Sequence, residues 1–339
     1  MIKNPKPWNA EQIPDQTGRT FVVTGANSGL GLATTAALAR RGAHVVLAVR
    51  NEERGHQAAA RITAAIRTDA SRAGRGRRHE RPDARADEDL HARLEVRRLD
   101  LADLDSVRAF AAGLRADRTR LDVLVNNAGV MAPPRTLSAQ GHELQFAANH
   151  LGHFALTGLL LDLLAAGTDP RVVTVSSTNH RKGRLDFDDL SGERSYSPMG
   201  FYNQAKFANA VFGTELHRRL DAAGSPVRSI LAHPGYAATN LQTSAPSGLV
   251  KLLFGRLLIP LAQSPEQGAL PQLHAATAPD VAGGRFVGPG GRGEVRGAPA
   301  FVPLAPAAAD PATGRRLWTL SEELTGVRFP FPQPSRTAL

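Results

Sequence analysis

A chain of 339 residues, 42% of them hydrophobic, can bury one substantial core, and α/β folds of this length commonly form one domain. It has no cysteine, which excludes disulfides, thiolate metal sites and cysteine nucleophiles. The net charge of +10 invites a nucleic-acid reading, but much of the excess sits in Arg72, Arg75, Arg77, Arg78, Arg81 and Arg85, with no interleaved aromatic residue to stack on bases. No nucleic-acid partner is expected. The opening Met1-Ile2-Lys3-Asn4-Pro5 lacks the apolar core of a signal peptide, and no apolar run is long enough to span a bilayer, so the expectation is a soluble cytoplasmic protein.

Residues 1–19 form a polar lead-in to the apolar run Phe21-Val22-Val23. Thr24-Gly25-Ala26-Asn27-Ser28-Gly29-Leu30-Gly31 follows, and then a helical run from Leu30 to Arg41 that Gly42 ends. Strand, glycine turn and helix is an arrangement that brings backbone and a helix N-terminus to a pyrophosphate, with glycine needed where a Cβ would block the approach. An ordinary βα loop is the alternative. The next strand, His44 to Val49, is apolar throughout and suited to burial on both faces. It ends in Arg50, where an acidic residue would grip the ribose 2′-hydroxyl of NAD and an arginine can pair with the 2′-phosphate of NADP. Arg50 therefore points to NADP(H) in preference to NAD(H), the alternative being a surface arginine.

A helix is expected from about Glu52 to Ile66, then a basic, disordered insertion over 68–92, then the strand Leu94–Arg97. Asp100 or Asp103 can cap the helical run Leu104–Leu114. The fourth strand, Asp122–Val125, runs into Asn126-Asn127-Ala128-Gly129. A helix from about Gln140 to Ala165 carries Asn149, a poor helix former whose amide needs a partner. His150 and His153 read as packing residues, since no acidic or thiol partner stands at metal spacing; no metal is expected. Strand five, Arg171–Val175, leads to Ser176-Ser177. Beyond it, Tyr202 and Lys206 share one helix face, one turn apart. A tyrosine is a poor acid–base group at neutral pH, and a neighbouring ammonium favours its phenolate, so the pair predicts a depressed phenol pKa.

Strand six, Val227–Ala232, ends in His233-Pro234-Gly235, with Thr239 close behind. Residues 236–262, with the apolar run Leu249–Ile259, are read as a substrate lid, with weak membrane-surface contact as the alternative. Gly283–Pro299 reads as irregular beyond a short strand at Arg285-Phe286-Val287. A closing helix near Thr313–Leu324 carries Trp318 against the core, and 331–339 form a tail.

The ordered set T-G-x-x-x-G-x-G, N-N-A-G, an asparagine on the next helix, S-S after a strand and Y-x-x-x-K resembles the classical short-chain dehydrogenases/reductases. The segment His180-Arg181-Lys182-Gly183-Arg184-Leu185-Asp186-Phe187-Asp188-Asp189-Leu190 is similar to the motif of their retinol-dehydrogenase-like branch, with Ala205 standing where serine is common. The resemblance covers roughly residues 15–327 apart from the basic insertion. It implies a single Rossmann-type domain over 1–330, an α/β doubly wound and mostly parallel sheet with helices on both faces. It implies Asn149, Ser177, Tyr202 and Lys206 as catalytic residues: Tyr202 as acid or base, Ser177 on the substrate oxygen, Lys206 on the ribose, and Asn149 anchoring a water linked to the lysine. It implies cofactor contacts from Gly25, Asn27, Ser28, Gly29, Leu30, Gly31, Arg50, Asp100, Leu101, Asn127, Ala128, Gly129, Tyr202, Lys206, Pro234, Gly235 and Thr239. Asp100 would bond the adenine amino group. The implied activity is NADP(H)-dependent interconversion of an apolar carbonyl and its alcohol, in a protein that can be oligomeric. A cofactor-sensing scaffold without turnover is the alternative, disfavoured because Tyr202 and Lys206 are both present.

Overall fold

The computed structural model describes residues 7–74, 93–236 and 263–331. Its eight-stranded sheet is built from β1 (Thr20–Thr24), β2 (His44–Val49), β3 (Leu94–Arg98), β4 (Val123–Asn126), β5 (Arg171–Val175), β6 (Arg228–Ala232), β7 (Phe286–Pro289) and β8 (Pro299–Phe301). The spatial order is β3-β2-β1-β4-β5-β6-β7-β8, parallel throughout except that edge strand β8 pairs antiparallel to β7. The order reverses between β1 and β4, so a crevice opens beyond the carboxyl ends of these two neighbours, where Thr24 and Asn126 stand.

Continuous apolar strands feed two faces because successive side chains alternate. Phe21 and Val23 enter one core with Leu38, Ile62 and Leu273; Val22 enters the other with Phe110, Phe154, Phe212 and Trp318. The first face is covered by α1 (Gly29–Ala39), α2 (Glu52–Gly74) and a helix over Pro265–Thr277. The second is covered by α3 (Leu104–Asp117), α4 (the helical run 144–159) and the helices Pro198–Ala222 and Pro311–Thr325. With the short α5 (Leu161–Ala165) between them, these last three helices are α6 (Pro198–Ala222), α7 (Pro265–Thr277) and α8 (Pro311–Thr325). Trp318 is buried as expected, its ring 4.5 Å from Phe329 and 5.1 Å from Phe154, with the Arg219 guanidinium 4.3 Å above it.

Two expectations are corrected, one choice is settled and one strand is extended. Residues 68–74, assigned above to a disordered insertion, continue α2 as helix to Gly74: the Thr68 hydroxyl donates to the Ala64 carbonyl at 2.9 Å, and Asp69 pairs with Arg40 at 3.2 Å. The rest of that insertion, 75–92, lies outside the described residues, as do all of the lid segment after Tyr236 and the tail beyond Phe331. The helix expected over Gln140–Ala165 starts only at Leu144, because Leu137 and Glu143 form an antiparallel bridge around Gly141 at positive φ. It then passes through a π turn at Ala147–Leu151 and breaks at Leu160. The cap of α3 is Asp103, whose carboxylate accepts the Asp105 N–H at 3.0 Å; Asp100 instead accepts the Ala102 N–H at 3.0 Å. Within Gly283–Pro299 the expected short strand forms as β7, running on to Pro289, and Pro299 begins β8.

Candidate active site

The glycine turn is pinned at its base by Thr24. The Thr24 hydroxyl accepts the N–H groups of Asn127 and Ala128, both at 2.9 Å, and the Asn127 carboxamide donates to the Thr24 carbonyl at 2.7 Å. The carboxyl ends of β1 and β4 are thereby locked together. Gly25 turns the chain at φ +66°, and Gly31 sits so near it that a Cβ would fall 2.3 Å from the Gly25 carbonyl oxygen. The first N–H groups of α1, from Gly29 onward, face out of this turn without intrahelical acceptors. Ser28, the N-cap, makes no side-chain cap bond; Asn27 precedes it on the same turn, and Leu30 behind it is buried.

Arg50 ends β2 as an exposed side chain. Arg40 and Arg41 stand at the other end of β2, before His44, and are engaged there: Arg40 with Asp69, and Arg41 with the carbonyls of Ala10 and Glu11. Asp100 and Leu101 follow β3, Leu101 being buried. Pro234 and Gly235 follow β6; Gly235 has φ +69°, and the Pro234 carbonyl accepts from Gln263 at 3.1 Å. Thr239 lies outside the described residues.

The Asn149, Ser177, Tyr202 and Lys206 side chains come from three elements and meet beside Gly129. Asn149 sits within the π turn, where the Gly152 N–H reaches back to Ala147; such turns recur at functional sites. Its carboxamide pairs with the main chain of Val130 on both sides, accepting at 2.8 Å and donating at 2.9 Å. No direct bond joins Asn149 to Lys206. Gly129 lies between them, and a Cβ there would come 3.1 Å from Asn149 Oδ1 and 3.6 Å from Lys206 Nζ. The Lys206 ammonium donates to the Val175 carbonyl at 3.0 Å, and the Ser176 hydroxyl to the Lys206 carbonyl at 2.8 Å, tying α6 to the end of β5. Tyr202 shares a side-chain hydrogen bond with Ser177. Lys206 Nζ is 5.9 Å from the centre of the Tyr202 ring.

The electrostatics depart from the sequence expectation. Burial pushes the Tyr202 phenol up to about 12, with the Ser177 hydrogen bond opposing, and pushes the Lys206 ammonium down to about 8. The phenol is raised, not depressed, because desolvation of a fully enclosed phenolate outweighs an ammonium that faces the ring and bonds elsewhere.

Two residues taken for packing or passed over support this geometry. His153 joins Thr24 and Asn149: Nδ1 lies 2.9 Å from the Asn149 carbonyl oxygen and Nε2 2.9 Å from the Thr24 hydroxyl. His180 faces the Ser177 carbonyl at 2.6 Å through Nδ1 and accepts the Ala305 N–H at 3.1 Å through Nε2. The retinol-dehydrogenase-like motif beginning at His180 was the only signal in the chain for the latter. His150 keeps its packing role, among the rings of Phe146, Phe154 and Phe212. Among the described residues no cluster of metal ligands occurs, and no helix is long and apolar enough to cross a membrane.

Known proteins share this arrangement. The family model described as short chain dehydrogenase matches residues 19–75 and 67–249. Retinol dehydrogenase 14 of Mus musculus is 40% identical over 313 residues, covering 91% of this chain and 86% of its own. Polyprenol dehydrogenase of Mus musculus is 40% identical over 322 residues, covering 93% and 86%. The solved structure of an uncharacterised protein from Mycobacterium paratuberculosis superposes with a TM-score of 0.74 at 42% identity, covering 96% of this chain and 99% of that one. With a switch-point crevice, a glycine turn and a Ser–Tyr–Lys cluster in the same fold, the chain belongs to the short-chain dehydrogenase family, as an oxidoreductase of its retinol-dehydrogenase-like branch.

Proposed function

We propose that this protein interconverts an apolar aldehyde or ketone and its alcohol, using NADP(H). The observation that carries the reading is the buried Tyr202–Lys206 pair, one helical turn apart on α6, with Lys206 bonded to the end of β5 just before Ser176-Ser177. The crevice fits a dinucleotide: the N-terminal N–H groups of an 11-residue helix, an uncommitted Ser28 hydroxyl and Gly25 at positive φ surround the place of a pyrophosphate. Gly29, Leu30 and Gly31 would present backbone to it. Arg50 would hold the 2′-phosphate, Asp100 and Leu101 the adenine, and Asn127, Ala128, Gly129, Pro234, Gly235 and Thr239 the nicotinamide half. When bound, the cofactor supplies or accepts the hydride.

The rest falls to the chain's own side chains. In the reducing direction Tyr202, kept protonated by its buried setting, donates its phenolic proton to the carbonyl oxygen. Ser177 donates a hydrogen bond to the same oxygen and stabilises the charge that develops there. Lys206 holds the ribose and offsets the phenolate left behind; its own depressed pKa lets it pass a proton on. Asn149 holds the loop after β4 at Val130 in place beside these groups. The names of the relatives, a retinol and a polyprenol dehydrogenase, support an isoprenoid-like alcohol as substrate.

Purified protein would be screened for NADPH consumption against retinal, long-chain aldehydes, ketones and quinones, with NADH in parallel. Turnover of apolar aldehydes or ketones with NADPH is expected. Cofactor binding without turnover of any carbonyl or alcohol would overturn the catalytic reading in favour of a cofactor sensor.

A further inference from the structure

One buried carboxamide far from the recognised motifs touches the dinucleotide crevice from behind. Gln272 lies on α7, 2% exposed. Its Nε2 donates to the Thr34 hydroxyl on α1 at 2.5 Å and to the Asn127 carboxamide oxygen at 3.2 Å. Asn127 in turn donates to the Thr24 carbonyl at 2.7 Å, and its Nδ2 stands 2.7 Å from where a Cβ on Gly31 would be. An amide can present either end to a neighbour. Here the Thr24 carbonyl, which can only accept, requires that Asn127 turn its NH₂ towards Thr24 and its oxygen towards α7, where the Gln272 NH₂ meets it. The reverse orientation would set donor against donor, and carbonyl against carbonyl at Thr24.

We propose that Gln272 is a positioning residue for the cofactor: it meets the oxygen that Asn127 turns away from Thr24 and so ties α1 to the carboxyl ends of β1 and β4, leaving the glycine turn preformed for the dinucleotide. This rests on the reading of the crevice as a dinucleotide site. Preorganisation of that kind strengthens binding by removing the cost of ordering the turn, and leaves the reacting groups alone. By reciprocity the bound cofactor must also steady α7.

The test uses NADPH titration of the full-length protein by fluorescence, with kcat measured at saturating NADPH. Gln272→Met keeps the volume and removes the donor. Gln272→Glu keeps the shape but sets a carboxylate oxygen against the Asn127 oxygen. Each is expected to raise the NADPH Kd about fivefold to tenfold, the loss of a neutral buried hydrogen bond, with kcat near wild type. In an Asn127→Ala background Gln272→Met should add nothing further. A Kd unchanged by both substitutions, or an effect additive with Asn127→Ala, would overturn the proposal. Should the variants not fold, the wild type decides it: NADPH is expected to slow amide exchange across α7, and unchanged exchange there overturns the coupling. A wild type that binds neither NADPH nor NADH removes the dinucleotide reading itself, an outcome distinct from a wild type that binds while Gln272 proves indifferent.

Discussion

His153 holds the glycine turn through Thr24. With Nδ1 donating to the Asn149 carbonyl, Nε2 is left as an acceptor for the Thr24 hydroxyl, whose own lone pairs take the N–H groups of Asn127 and Ala128. This relay needs an unprotonated ring, and full burial supplies it by pushing the His153 pKa down to about 4. One imidazole thus connects Asn149 on α4, the end of β1 and the start of the N-N-A-G turn.

Acid should unfold the protein early. Burial lowers His150 to about 3 and both His153 and His233 to about 4, from an ordinary 6.5. Below pH 6.5 the unfolded chain therefore binds protons that the folded chain refuses. Stability is complete above that pH and is lost as the pH falls towards 4, at about 1.4 kcal/mol per pH unit for each ring. Urea midpoints measured from pH 7.5 to 4.5 should fall throughout the lower part of the range. A flat profile between pH 6.5 and 5 would show that these rings are not held neutral.

Replacing Tyr202 with phenylalanine keeps the ring in its packed place and removes the proton. Turnover should drop by about 100-fold or more, the usual worth of a positioned acid, while NADPH titrates as in wild type. A variant retaining more than a few per cent of kcat would take the acid role away from Tyr202.

The proposed preference for NADP(H) rests on Arg50. Because Arg40 and Arg41 are bound elsewhere, Arg50→Ala should not be compensated by them. A charged hydrogen bond worth about 1.5–3 kcal/mol translates into a rise of one to two orders of magnitude in KM for NADPH. KM for NADH should barely move, and added salt should weaken NADPH more than NADH. Side-by-side titrations in which the wild type prefers NADH would leave Arg50 as an ordinary surface residue.

Asp169 is a stability centre at the opposite, amino-terminal end of the central strands. Its carboxylate lies 2.6 Å from the buried Arg171, pairs closely with Arg228 and is 3.8 Å from Arg19. Asp169→Asn would remove the carboxylate that the three guanidiniums share, leaving Arg19 only the field of Asp122 and Arg171 only that of Asp280. Its half-open position moderates the loss, which should be about 2–4 kcal/mol. Since Ser177 stands beyond the other end of β5, kcat at a temperature well below unfolding should be unchanged. Equal melting temperatures for variant and wild type would refute the assignment.

How far the site can be read from the chain differs from residue to residue. Gly25, Gly29 and Gly31 announce their turn because close backbone approach tolerates no side chain, a local demand written directly into residue type. Tyr202 and Lys206 announce a shared helix face because four residues make about one turn. The apolar runs of β1 and β2 likewise carry their burial on both faces. The π turn at Asn149 has no such signature. It depends on Val130 taking both sides of the carboxamide, a contact between α4 and the loop after β4.

What the sequence by itself determined was the order of strands and helices, the place of the glycine turn and the identity of the chemical groups, since these follow from periodicity, backbone sterics and local spacing. Only the tertiary structure decided what those groups experience. His153 became a neutral acceptor and not a packing ring, Gln272 reached Asn127 and Thr34 across the fold, and Tyr202 acquired a raised pKa where a depressed one was expected. Each of these outcomes comes from desolvation or from hydrogen bonds between residues distant in sequence. Such interactions exist only once the sheet has brought its carboxyl ends together and water has been excluded from between them.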